Sequence, residues 1–207
     1  MIHAPPLKEL PNVEHGFGTR DEELWLGADE HAFAQQVHGD AILEPKDVGL
    51  AGEGDALITT APELWVAVRT ADCIPILLAD PVAQVVAAVH AGWRGTAENI
   101  VAKTLRRMEE LGAQLMDIRA AIGPGIGECC YEVGADVAAR FGLEVDESGK
   151  AHLDLALENE RQLREAGLEI EQIWTAKHCT KCDAETFHSF RRDGEAAGRL
   201  LSAIRLV

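Results

Sequence analysis

The 207-residue chain lacks any apolar run of bilayer-spanning length. Its opening stretch, MIHAPPLKELPNVEHG, also lacks the basic-then-apolar pattern of a leader, so the cytoplasm is the expected location. Positive charge is scarce: 19 Lys and Arg stand against 35 Asp and Glu, for a net charge of −16. A polyanion is repelled by phosphate backbones, which argues against nucleic-acid binding. An anionic substrate would need a local basic site set against that field. There is no disulfide framework. Five cysteines, an odd number, are scattered through a chain that is 47 % hydrophobic, and they read as thiols. Internal repeats, low-complexity stretches and an evident linker are also absent, so one domain over residues 1–207 is expected. Asn, Ser and Met are sparse beside Glu, Arg, Leu and Ala, a composition that leans toward a thermophile.

What is present begins with short apolar runs bounded by Gly, Pro or Asp. DALIT (Asp55 to Thr59), LWVAVRT (Leu64 to Thr70), IPILLAD (Ile74 to Asp80) and AQVVAAVH (Ala83 to His90) read as buried strands. DPVA between the last two predicts a tight turn and therefore a hairpin. After HAGWRG the period changes. Ala97, Ile100, Val101, Leu105, Met108 and Leu111 predict an amphipathic helix, with Thr96 as N-cap and Gly112 as its stop. MDIRAAIGP and EQIWTA read as strands. Helices are expected at Ala135 to Arg140, at Asp154 to Ala166 and from about Asp193, with SAIRLV as a closing strand. Strands and helices interleave, so the class is α/β, with a sheet flanked by helices on both faces.

Three segments carry polar residues where a core pattern would not place them: QQVHGD with His38, RTADCIP with Asp72 and Cys73, and VHAGWRG with His90 and Arg94. The expected hairpin brings its outer ends together, so Cys73 and His90 can be neighbours, while His38 must come from elsewhere. Two imidazoles and a thiolate form a typical catalytic zinc set, with one position left for water or substrate. Other readings stay open at this point. The trio can be a buried thiol with two hydrogen-bonded core histidines, a Cys73–His90 nucleophile and base, or the equatorial set of a blue-copper site. A multicopper laccase is harder to build, because the chain has eight histidines and no His-X-His.

Weaker signals lie further on. AIGPGIGECCYEVG is a Gly-rich loop after a strand; it either wraps a ligand with backbone N–H groups or makes a turn needing positive φ. HCTKCD (His178 to Asp183) resembles half a zinc ribbon. With no second Cys-X-X-Cys, a closed structural zinc is not expected and the pair reads as buried or redox-idle thiols. FHSFRRDG offers Arg191 and Arg192 either as an anion site or as surface ion-pair partners. Arg20, in HGFGTRDEE, reads by itself as a partner for the acids that follow it.

Taken in order, HGFGTR, QVHGD, DALIT, RTADCIPILLADP, VHAGWRGTAENIV, AIGPGIGECCYEVG, CTKCDAETFHSFRRDG and GRLLSAIRL resemble the bacterial YfiH family, also called the laccase-domain or polyphenol-oxidase family. The resemblance covers most of the chain, and TADC followed by HAGWRG is its most specific part. It implies a mixed-sheet α/β/α sandwich distantly like the cytotoxic necrotizing factor deamidases. It implies zinc, rather than copper, on His38, Cys73 and His90. It also implies phosphorolysis of adenosine, inosine, guanosine and methylthioadenosine, with adenosine deamination as a second activity.

On that reading the small-molecule partners are purine nucleosides and phosphate. Arg20, by family match, and Arg191 bind phosphate. Asp72 orients a ligand, and Arg94 does the same or binds substrate. The segment between Arg20 and His38 is shorter than the family pattern, which carries Gly-Gly-Val-Ser and Asn-Leu-Gly stretches there that help line the pocket. Two rivals remain: a metal-free Cys73–His90 hydrolase or deamidase, and a metal-binding protein without turnover, such as a metallochaperone or scaffold.

Overall fold

The structure is a computed structural model that describes every residue except Glu23, Leu24 and Ala28, together with the side chain of Glu22. Thirteen strands are present among the described residues. They are β1 (Val13–Phe17), β2 (His31–Gln35), β3 (Ile42–Leu43), β4 (Gly49–Glu53), β5 (Ala56–Thr59), β6 (Trp65–Thr70), β7 (Ile74–Asp80), β8 (Val85–Ala91), β9 (Arg119–Ile122), β10 (Glu132–Gly134), β11 (Lys150–His152), β12 (Ile173–Thr175) and β13 (Leu200–Leu206). The helices are α1 (Pro5–Lys8), α2 (Trp93–Ala97), α3 (Ile100–Glu110), α4 (Ala135–Arg140), α5 (Leu155–Glu165) and α6 (Phe190–Asp193).

The strands form a five-stranded sheet in the order β1-β13-β6-β2-β4 and a six-stranded sheet in the order β12-β9-β7-β8-β5-β3; β10 and β11 pair separately. Both large sheets mix parallel and antiparallel neighbours. The expected α/β class with mixed sheets is what the chain adopts, but the layering differs from a sheet with helices on both faces. On β7 and β8 the side chains alternate. Ile74, Ile76, Leu78, Val85, Ala87 and Val89 pack with Ile100, Val101, Leu105 and Met108 of α3. Leu77, Ala79, Val86 and Ala88 pack instead against Val66, Val68, Ile204 and Leu206 of the five-stranded sheet. Both faces of these strands are therefore buried, which is why they read as continuous apolar runs. The five-stranded sheet was hidden because β1 (VEHGF), β2 (HAFAQ) and β4 (GLAGE) are short and interrupted by polar residues or Gly.

The predicted hairpin is present. β7 and β8 pair from Ile74↔Ala91 to Asp80↔Val85. The long helix after HAGWRG is in fact two. Asn99 takes the left-handed conformation at φ 59° between α2 and α3, a region that Asn tolerates better than most residues. Thr96 therefore does not cap the helix. It is fully buried inside α2, where its hydroxyl accepts from Asn159 of α5 at 3.0 Å. Gly112 ends α3 at φ +102°, as expected, and Asp154 caps α5 by accepting from Leu157 N–H. Where a short helix was expected from about Asp193, α6 ends and a single 3-10 turn, Gly194–Ala196, follows. No helix among the described residues is long and apolar enough to cross a membrane.

One buried carboxylate closes the hairpin. Asp80 is fully buried and accepts from Val82 N–H and Ala83 N–H at the turn and from Gln114 N–H beyond α3, each at 2.8 Å. Charge-assisted bonds are worth about 1.5–3 kcal/mol each, but turn amides regain water when released. Asp80→Ala is therefore expected to lower the unfolding free energy by about 2–4 kcal/mol. Urea denaturation should show a lower midpoint with an unchanged slope. A midpoint equal to wild type would mean that water replaces the carboxylate at all three amides.

Candidate metal centre and ligand cavity

The RTADC segment is the crossover from one large sheet to the other: Arg69 and Thr70 end β6, and Cys73 precedes β7. Pro75 pairs with His90 across the hairpin, so the thiol and the imidazole emerge at the same end. His38 approaches from the loop after β2, and the His38 and His90 ring centroids are 4.8 Å apart. One ligand atom from each of His38, Cys73 and His90 falls within 4.8 Å of the others. The three sequence candidates for a metal site are therefore brought together. His90 is buried, Cys73 partly buried and His38 exposed, so the site faces outward from the core.

Asp55, which no sequence argument singled out, organises this centre. It is fully buried at the start of β5. Its carboxylate accepts from Val37 N–H (3.2 Å), His38 N–H (3.0 Å), Gly39 N–H (2.7 Å) and His90 Nδ1–H (2.7 Å). The last bond fixes the His90 tautomer and leaves Nε2 for Cys73, the carboxylate–histidine arrangement found behind metal ligands. The three amide bonds hold His38 at φ 60°, an uncommon backbone for a residue with a side chain. Burial raises the Asp55 pKa, but the bonds from His90 and the loop amides outweigh it and bring it below the usual carboxylate range. Burial pushes the Cys73 thiol up, yet the hydrogen bonds from His38 and His90 bring it down to about 6. Burial lowers His90, while Asp55 and Cys73 raise it to about 9. Both shifts run in the direction that favours a thiolate beside a charged imidazole; two imidazoles and a thiolate fit a borderline-soft divalent ion.

Glycines admit this packing. A Cβ on Gly92 would lie 3.0 Å from Cys73 Sγ and 3.2 Å from His38 Cδ2, and one on Gly95 would lie 2.8 Å from the Gly39 carbonyl oxygen. The GIG loop is likewise a matter of space rather than of positive φ: a Cβ on Gly125 would fall 2.2 Å from Ile74 Cδ1.

A cavity of about 620 Å³ opens beside the three ligands. Ile126, Tyr131 and Phe190 give it apolar and aromatic walls, and Arg69, Arg191 and Arg199 give it positive charge. Arg69 Nε is buried and finds no acceptor among the described residues. Arg191 lies over the Tyr131 ring at 5.1 Å. Burial, and then the negative charge on Cys73, push the Tyr131 phenol up to about 12, so it stays protonated.

The other sequence candidates are placed differently. Asp72 lines the cavity at φ 91°, but its carboxylate accepts from Thr180 Oγ1–H and Arg191 N–H, both at 2.6 Å, and the carboxylate on a candidate metal ligand is that of Asp55. Arg94 is exposed, stacks over Trp93 at 4.5 Å and does not line the cavity. Arg20 does not line it either. Its Nη2 donates to the Phe187 carbonyl at 3.3 Å and lies 3.6 Å from Asp193; of the acids that follow it, Glu23 and the Glu22 side chain lie outside the described residues. The adjacent arginines divide the two roles considered for them, with Arg191 in the cavity wall and Arg192 paired with Asp193 at 2.7 Å. Arg69 and Arg199 were missed as site residues. Arg69 opens the RTADC motif, whereas nothing local marks Arg199.

Fold and site together define an α/β protein whose His38, Cys73 and His90 could hold a metal ion beside a ligand-sized cavity. The model of the multi-copper polyphenol oxidoreductase laccase family matches residues 12–207. A purine nucleoside phosphorylase of Deinococcus radiodurans is 44 % identical over 190 residues, covering 88 % of this chain and 73 % of that protein. Adenosine deaminase RL5, from an unknown prokaryotic organism, is 38 % identical over 172 residues, covering 78 % of this chain and 65 % of that protein. The crystal structure of YlmD from Geobacillus stearothermophilus superposes with a TM-score of 0.86 at 29 % identity, covering 98 % of this chain and 94 % of that one. The chain belongs to this laccase-domain family, the YfiH family that its motifs resemble.

Asp55→Asn should weaken metal binding by about 10- to 100-fold, because the amide cannot accept from all four donors and the hold on His90 and the His38 loop is lost. Asp72→Asn should leave it unchanged. Competition with a chromophoric chelator reads both, and equal effects of the two variants would remove Asp55 from its place behind the metal.

Proposed function

We propose that the chain is a zinc-dependent purine nucleoside phosphorylase acting on adenosine, inosine, guanosine and methylthioadenosine, with adenosine deaminase activity. The observation that carries this reading is the union of a His-Cys-His centre with a cavity that combines aromatic walls and three arginines. A volume of this size suits a small-molecule ligand. The names borne by the relatives, purine nucleoside phosphorylase and adenosine deaminase, support the same class.

Zinc is favoured over copper on donor chemistry. A blue-copper site adds a weak axial ligand, commonly Met or Gln. No Met is among the residues lining the cavity, and the Gln36 amide is already spent on the Arg69 backbone, at 2.8 Å each way. When bound to His38, Cys73 and His90, zinc supplies Lewis acidity that brings the pKa of water down to about 7.

The remaining work falls to the chain's own groups. Arg69, Arg191 and Arg199 hold phosphate against the chain's net negative charge. Ile126, Phe190 and Tyr131 flank the nucleoside and exclude water. In phosphorolysis a phosphate oxygen bonds to the ribose C1′ while the bond to the purine nitrogen breaks, and the purine takes up a proton. Tyr131 is the protonated phenol in the cavity wall. In deamination water adds at C6 of adenosine and ammonia leaves. Arg20 and Asp72 act by positioning, Arg20 through the Phe187–Asp193 segment and Asp72 through Thr180 and Arg191.

Adenosine with phosphate should yield adenine and ribose 1-phosphate, and adenosine alone should yield inosine, both read by chromatography. Arg69→Ala and Arg191→Ala should each lower phosphorolysis about 10- to 100-fold, mainly through phosphate dependence, since charge-assisted contacts to an anion are worth about 1.5–3 kcal/mol. Deamination, which needs no phosphate, should be largely spared. Equal loss of both activities would assign these arginines to the nucleoside or to the fold.

Chelation separates the metal enzyme from a cysteine hydrolase. Both activities should vanish with chelator and return with zinc, and iodoacetamide should label Cys73 faster after chelation than before. A chelator-resistant enzyme whose Cys73 alkylates rapidly would make Cys73 a nucleophile instead of a ligand.

A further inference from the structure

Four of the five cysteines converge away from the His-Cys-His centre. β9 and β12 are parallel neighbours, and the loops that leave them run on side by side, with an isolated parallel bridge between Gly125 and Cys179. One loop carries Cys129 and Cys130, the other Cys179 and Cys182. Cys182 Sγ lies 3.6 Å from Cys129 Sγ and 3.3 Å from Cys130 Sγ, and all four sulfurs fall within 4.8 Å of one another. The missing partner of the CTKC pair is thus the CC pair, some fifty residues upstream in sequence but adjacent in space.

We propose that Cys129, Cys130, Cys179 and Cys182 form a second, structural metal site that binds one zinc ion as a tetrathiolate and clips together the two loops behind the cavity. The spacing suits a single ion. Four thiolates at a Zn–S distance of about 2.3 Å in a tetrahedron lie about 3.8 Å apart, close to the separations seen. A disulfide needs sulfurs at about 2.05 Å and only two of them, which leaves the fourfold convergence unexplained. An iron–sulfur cube puts each cysteine on a separate iron and so spreads the sulfurs further apart. Gly127 N–H donates to Cys179 Sγ at 3.2 Å, the kind of amide-to-sulfur bond that supports a thiolate ligand. Cys129 and Cys182 are exposed, and four free thiols crowded at a surface would be open to oxidation unless a cation held them.

The clip would stiffen the cavity from behind. Its loops carry Ile126 and Tyr131 on one side and Thr180 on the other, and Thr180 holds Asp72. Arg192 Nη1 donates to the Thr180 carbonyl at 2.9 Å, and Arg191 Nη1 donates to Glu132 O at 2.9 Å. Four thiolates leave no open position, so this ion would have no part in turnover.

The test counts metal in the full chain, produced with added zinc and purified under reducing conditions without chelator. Elemental analysis should find two zinc ions per wild-type chain and one in the His38→Ala/His90→Ala variant. Cobalt in that variant should show intense thiolate-to-metal charge transfer in tetrahedral geometry. Cys179→Ser/Cys182→Ser should hold one zinc and lose the signature when combined with the histidine changes. Should the Ser variant fail to fold, the histidine variant decides alone. If it holds no metal, and its cysteines titrate as free thiols or appear by mass spectrometry as disulfides, the site does not exist. The count in the histidine variant reads only the four-cysteine cluster, so it stands or falls separately from the activity proposed above.

Discussion

A carboxylate that is fully removed from water must be surrounded by donors or give up its charge. Asp55 keeps its charge by gathering four donors, and the geometry of the whole candidate metal centre follows from where those donors come from. Three belong to the Val37–Gly39 loop and one to His90, while the Asp55 carbonyl accepts from His90 N–H at 2.7 Å. One side chain therefore fixes a strained loop, a strand end and an imidazole tautomer together. Gly92 and Gly95 let α2 come close enough for Cys73 and the loop backbone to meet the same point.

The two-sheet architecture explains why the cavity sits where it does. β6 lies in the five-stranded sheet and β7 in the six-stranded one, and only three residues, Ala71 to Cys73, join them. That short crossover opens a gap between the sheet ends. Arg69 and Gln36 reach it from one sheet, Cys73 and His90 from the other, and the Phe190–Arg191 segment with Tyr131 closes the side. Three arginines focused there give a local positive field within a chain of net charge −16, the condition an anionic co-substrate requires.

The family's name points to several coppers, yet the histidines are not arranged for them. Of the eight, only His38 and His90 enter a candidate metal group among the described residues. His15 accepts from Ala4 N–H at 2.8 Å, and burial, then His3, lower its pKa to about 4, as suits a neutral residue inside the fold. The other metal-ready group is all sulfur. The chain thus offers one group of mixed donors beside a cavity and a second group of four cysteines away from it.

Apolar runs, helical periodicity and turn or cap residues in the sequence marked the central hairpin, α3, α4, α5 and the α/β class; β7 and β8 are fully buried and α3 and α5 each turn an inward face to the core, so local pattern and final environment agree. The convergence of His38, Cys73 and His90 was also legible, since His and Cys stand beside apolar strands where a core pattern would not place them. The five-stranded sheet was not, because β1, β2 and β4 are short and their stability comes from neighbours rather than from their own pattern. Asp55 read as an ordinary polar strand start; its importance lies in burial and in partners 16 to 35 residues away. Arg20, Asp72 and Arg94 carry the right chemistry in the right motifs, but a motif does not say which way a side chain turns. The four cysteines needed the parallel pairing of β9 with β12, because only that alignment sets CC beside CTKC, and contacts so distant in sequence are decided by the fold.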